Sequence, residues 1–134
     1  MTPQLPRAPR VLVVLPDQWP RSLLRAALRD VGYDAVGTRT METALRVRAV
    51  DPERGAVRLV VVDQSALGSG GGAQLDQLLE RHGAPATILL ARTTAKAPAG
   101  PWQRVLRRPV SVADIVSAVQ GLLPLPATDR HPLD

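Results

Sequence analysis

Two apolar runs, Val11-Leu-Val-Val-Leu-Pro-Asp17 and Val57-Arg-Leu-Val-Val-Val-Asp63, each finish on an aspartate. Both are rich in β-branched residues and almost continuously apolar, which is how a strand reads when both of its faces are covered. Such strands belong to a parallel sheet with helices above and below. In open α/β sheets, ligands and chemistry sit beyond the carboxyl ends of the strands, where strand order reverses. The two aspartates are therefore expected at one functional edge.

The rest of the chain alternates to match. Gln18, or Asp17 before it, caps a helix beginning near Trp19-Pro20, with Leu23, Leu24, Ala27, Leu28 and Val31 as its apolar face and Gly32 as its stop. A short strand follows at Asp34 to Thr38. Thr40 then caps a helix with Met41, Ala44, Leu45 and Ala49 inside, and residues 51–55 form a turn. A third strand, Arg58 to Val62, precedes a Gly-rich loop and a helix carrying Leu75, Leu78 and Leu79. The fourth strand is Ala86 to Ala91 and the fifth is Arg104 to Arg107. Ser111 caps the last helix, with Asp114 completing a capping box and Val112, Ile115, Val116, Val119 and Leu122 facing the core. Five strands alternating with helices give a three-layer α/β domain over residues 10–123. Residues 1–9 read as a disordered lead-in, not a signal peptide, and 124–134 as a flexible tail.

Composition excludes several classes. No cysteine is present, so disulfides and Cys-ligated metals are out and a reducing cytoplasm is expected. No apolar run approaches the roughly 20 residues that span a bilayer. Net charge is +5, and Lys96 is the single lysine. The arginines are scattered and stacking aromatics are scarce, so nucleic-acid binding is the weaker of the partner readings. Arg21, Arg25 and Arg29 form a stripe at i, i+4, i+8 on the first helix, read either as a solvated face or as a docking strip for a protein.

Four segments carry a resemblance to a known family: VLVVLPDQ with Gly32-Tyr33 after the helix, LVVVDQSAL, ATILLAR, and VLRRPVSVADIVSAV. In this order and spacing the chain resembles the receiver domains of bacterial two-component response regulators. The resemblance implies a flavodoxin-like fold with parallel strand order 2-1-3-4-5. It also implies an aspartate ending the third strand that accepts a phosphoryl group from a histidine kinase, with Mg²⁺ neutralising the two anions. Asp63 holds the acceptor position. The family's acidic pair for the ion falls on Leu15 and Pro16, with Asp17 one residue late. Its hydroxyl residue falls on Ala91, with Thr93 and Thr94 out of register, and its switching aromatic falls on Val105. Its lysine becomes Arg108, before the retained Pro109, where the family often has a cis bond.

An ion site left with Asp63 and Asp17 is a poor magnesium cage, and Arg108 is suited to pair with Asp63 directly. The expectation is a degenerate receiver without metal or cofactor, not an enzyme, acting as a protein–protein interaction module for a signalling partner such as a kinase or effector. A monomer or weak homodimer is expected. The alternatives are a phospho-acceptor using Asp63 with rearranged Mg²⁺ ligands, and a basic nucleic-acid binder. The segment between Ala91 and Arg108 is short and contains prolines, so the fourth helix is expected to be short or missing. Gly68 to Gly72 lacks the spacing of a phosphate-binding loop. His82 and His131 have no ligand partners in sequence, and Ser65 and Ser69 have no histidine to activate them.

Overall fold

The computed structural model describes residues 8–68, 71–93 and 96–125. The first apolar run becomes β1 (Arg10–Val14), buried along its whole length. It leads into α1 (Gln18–Val31), β2 (Asp34–Thr38) and the one-turn helix α2 (Met41–Ala44). A two-residue strand, β3 (Val50–Asp51), turns back onto β4 (Gly55–Asp63). The 3₁₀ turn η1 (Gln64–Ala66), α3 (Gly71–Arg81), β5 (Ala86–Ala91), β6 (Arg104–Arg107) and α4 (Val112–Leu122) follow.

The parallel strands lie in the order β2-β1-β4-β5-β6, which is the expected 2-1-3-4-5 once β3 is set aside. Val13, Val61 and Ile88 stand side by side across the central strands. Successive side chains on a strand point to opposite faces, and here both faces are covered. Val11, Val13, Leu59 and Val61 pack with Leu24 and Leu28 of α1 and Ile115 and Val119 of α4. Leu12, Val14, Val60 and Val62 pack on the other side with Met41, Leu75 and Leu78. That double burial is why the runs are continuous in sequence.

Four local expectations are corrected. The third strand starts at Gly55 and not at Arg58, because Asp51 Oδ1 accepts from the Glu53 and Arg54 backbone N–H groups at 2.8 and 3.0 Å and folds the turn into a small antiparallel hairpin. The second helix stops at Ala44. Beyond it, Leu45 and Val47 are the partly buried pair, a spacing of two that one helix face cannot present, and tightened turn bonds replace the helix. On α1, Leu23 is 54% and Val31 37% exposed, so the inner stripe narrows to Leu24, Ala27 and Leu28. On α4, Ala118 joins the core face, and Leu123, just past its end, is buried with it.

Among the described residues between Ala91 and Arg104 there is no helix. A pinned loop takes its place over the sheet. Trp102 Nε1 donates to the Pro98 carbonyl at 2.9 Å, Thr87 Oγ1 donates to the Pro101 carbonyl at 2.5 Å, and Gln103 N–H donates to the Thr87 carbonyl at 3.0 Å. Ala97 and Trp102 then pack on the second core layer.

At the amino ends of the strands, the buried Tyr33 hydroxyl donates to the Leu123 carbonyl at 2.6 Å, and Leu125 lies over Gly32. Gly32 has φ +115°, a conformation few side chains adopt. Pro9 is buried and its carbonyl accepts from Asp34 N–H at 2.9 Å. Residues 1–7 and 126–134, with Ser69, Thr94 and His131, lie outside the described residues.

Candidate functional site

Asp63 ends β4 and caps η1, with its residue only 5% exposed. Its Oδ2 accepts from the Ser65 backbone N–H at 3.0 Å and from the Ser65 hydroxyl. Its Oδ1 accepts from Arg108 Nη2. The arginine lies just past the end of β6; its backbone N–H donates to the Ala91 carbonyl at 3.0 Å and its peptide bond to Pro109 is cis. Both oxygens of the carboxylate are therefore engaged.

The neighbouring strand end offers nothing anionic. Leu15 is buried and Pro16 half-buried, and their carbonyls accept from Arg21 Nη1 at 2.8 and 3.1 Å. Asp17 is exposed at the N-cap of α1 without a side-chain capping bond. No hydrogen bond or ion pair joins it to Asp63 among the described residues. Magnesium demands a near-octahedral shell of oxygens and gives up its water reluctantly. Here two guanidinium groups occupy the acceptors, and no group of three His, Cys, Asp or Glu side chains among the described residues could hold a metal ion. The residues present do not fit Mg²⁺.

The remaining positions follow suit. Ala91 is buried at the end of β5, Thr93 is exposed beyond it, and Val105 is 40% exposed on β6. Gln64 Oε1 accepts from Arg92 N–H at 2.9 Å, which ties η1 to the end of β5. His82 is buried far from this edge, at the end of α3.

The arginine stripe of α1 lies along the outer edge of β2. Arg25 Nε and Arg29 Nη2 both donate to the Ala35 carbonyl, at 3.4 and 3.3 Å. The stems of Arg25 and Arg21 press on Gly37, where an added Cβ would lie 2.6 Å from Arg25 Cδ. The neighbouring Arg29, Arg21 and Arg54 charges add to burial in lowering the Arg25 pKa. The stripe thus covers an edge strand whose backbone groups would otherwise be open. Two features take roles that the sequence did not disclose. Ser65 stands two residues after an aspartate at a strand end, a spacing at which a carboxylate can accept from the backbone N–H. Trp19 and Leu23 are exposed apolar residues on α1, and only their partner-free side could have revealed them.

The strand order and the edge so defined make this a flavodoxin-like receiver fold. No family model matches the chain, and no curated protein matches it. Among solved structures, the signal receiver domain of an HD domain-containing protein from Pseudomonas fluorescens Pf-5 aligns with TM-score 0.70 and 20% identity, covering 87% of this chain and 95% of that one. The chemotaxis protein CheY4 of Vibrio cholerae aligns with TM-score 0.69 and 16% identity, covering 87% and 99%. HP1043, an orphan response regulator of H. pylori, aligns with TM-score 0.66 and 16% identity, covering 88% and 99%. At these identities the likeness is one of fold.

Proposed function

We propose that this chain is a degenerate receiver domain that acts in signal transduction as a phosphorylation-independent protein–protein interaction module. The observation that carries the reading is the state of Asp63, whose two carboxylate oxygens are held by Arg108 and Ser65. A phosphoryl acceptor needs one oxygen free to attack phosphorus and a cation to offset the meeting of two anions. Permanent guanidinium charge at that spot substitutes for the cation without offering it exchange. Its partner is a protein of the same signalling system, a kinase or an effector, and the setting is the cytoplasm. No enzymatic chemistry is assigned.

For partner docking, the α1 stripe divides into roles. Arg21 and Arg25 are half-buried, while Arg29 is the exposed member of the stripe, its Nη2 also donating to the Ala35 carbonyl. Charge reversal at Arg29 is therefore the docking variant that disturbs the fold least, since the stems of Arg21 and Arg25 also lie against Gly37 of β2.

Amide NMR titration with Mg²⁺ and then beryllofluoride tests the proposal. An unchanged spectrum is expected. Shifts around Asp63 that disappear in Asp63→Asn would make the chain a phospho-acceptor with unorthodox ligands.

A further inference from the structure

We propose that Ser65 is the positioning residue of this site: it fixes the plane of the Asp63 carboxylate so that Oδ1 faces Arg108, and without its hydroxyl the ion pair loosens. The proposal rests on the locked-receiver reading and adds a residue to it. Arg108 reaches Asp63 through Nη2, on a side chain 42% exposed to solvent. A long, half-exposed cation making one such contact is a weak clamp, because ordering its stem costs entropy and water competes for its charge. The paired fork geometry that makes arginine–carboxylate contacts strong requires two parallel donors.

Ser65 provides what the arginine lacks. Its N–H and its O–H both donate to Oδ2. Two donors on one oxygen hold the carboxylate against rotation about its Cβ–Cγ bond. They belong to a turn that is itself secured twice, by Leu67 N–H donating to the Gln64 carbonyl at 3.1 Å and by the Gln64 side chain on Arg92 N–H. The clamp is thus built into the backbone before the arginine arrives. Alanine at 65 would retain the N–H contact and lose the hydroxyl; threonine would retain both.

The test reads the guanidinium itself. Rotation about the Arg108 Nε–Cζ bond exchanges its two Nη groups, and an engaged guanidinium exchanges slowly enough for ¹⁵N NMR to follow. The full chain is compared with Asp63→Asn, Ser65→Ala and Ser65→Thr, using the dispersed amide spectrum as the check on folding. Slow Arg108 rotation in the wild type that speeds up in Asp63→Asn establishes the lock. Given that, Ser65→Ala is expected to speed rotation about tenfold, the worth of one charge-assisted hydrogen bond, and Ser65→Thr to restore it. Unchanged rotation in Ser65→Ala would overturn the role of Ser65 while leaving the lock in place. Fast rotation in the wild type, indifferent to Asp63→Asn, would remove the lock and this proposal with it.

Discussion

Arg108 and Asp63 form a lopsided pair: the aspartate side chain is 7% exposed and the arginine side chain 42%. The consequence is an asymmetry in what each partner does when left alone. An arginine without its aspartate turns into solvent, whereas an aspartate without its arginine stays inside with its charge poorly offset. Arg108→Met is expected to cost about 1–2 kcal/mol, discounted from the fully buried case because the arginine is half solvated. Asp63→Asn should cost less, and Arg108→Met should add little on the Asp63→Asn background. Urea unfolding of the four proteins in a double-mutant cycle measures this; equal and additive losses would contradict it.

Gly37 on β2 lies under the arginine stems, with Arg25 Cδ at 2.6 Å and Arg21 Cγ and Cδ at 3.0 and 3.1 Å from where a Cβ would stand. Gly37→Ala should push those stems off the strand at a cost of about 1 kcal/mol, the low end for overpacking. Because the displaced arginines also cover an edge, concentration-dependent association by light scattering is expected in the variant and not in the wild type.

The loop that replaces the fourth helix depends on Gly100. A Cβ there would meet the Trp102 indole at 2.8 Å, and a ring cannot fold aside as a flexible chain can. Gly100→Ala should break the Trp102 Nε1 bond to Pro98 and destabilise the fold by about 1–2 kcal/mol. In a Trp19→Phe background Trp102 is the one remaining tryptophan, and under excitation selective for tryptophan its fluorescence should shift to the red.

His82 is 7% exposed, and neither ring nitrogen has a partner among the described residues. Burial, with the Arg81 and Arg10 charges behind it, lowers its pKa from the ordinary 6.5. The unfolded chain therefore binds the proton more readily than the folded one. Stability is full above about pH 6.5 and falls as pH drops below that value. Thermal unfolding at pH 7.5 and 5.5 should show a lower midpoint at the acid end, and His82→Leu should shrink that difference. Asp34, held low by its Arg54 hydrogen bond, adds a loss of the same sign below about pH 4.

Strands whose two faces are both apolar announce themselves, and β1, β5 and the core of β4 were legible for that reason. So was the start of α4, where the Ser111 and Asp114 capping box is present in the structure as the sequence pattern implied. The start of β4 was not. Gly55 and Ala56 belong to a hairpin set by the Asp51 side chain, and the exposed Ala56 and Arg58 on either side of Val57 weaken the apolar signal. Leu23 shows a different failure: helical periodicity counts it with Leu24, but only the position of the sheet decides which of two adjacent leucines is inside.

At the site, opposite charge and matching geometry made the Arg108–Asp63 contact legible from the receiver resemblance. Ser65 was considered only as a nucleophile, since nothing in a residue's identity says that it will act as a donor to its neighbour. The arginine stripe reads by periodicity as a solvated face or a docking strip for a protein. Its true targets are backbone carbonyls, which carry no mark in a sequence.

The clasp between Tyr33 and Leu123, with Leu125 seated on Gly32, has a practical corollary for handling the molecule. It fastens the outgoing chain at the foot of β2, and the incoming chain passes Pro9 at the same pole, while Asp63 stands at the far ends of the strands. A tether attached beyond either described end would hold the domain by its base. Anchored on a sensor surface in that way, it would turn the Asp63 edge outward, toward whatever is flowed across it.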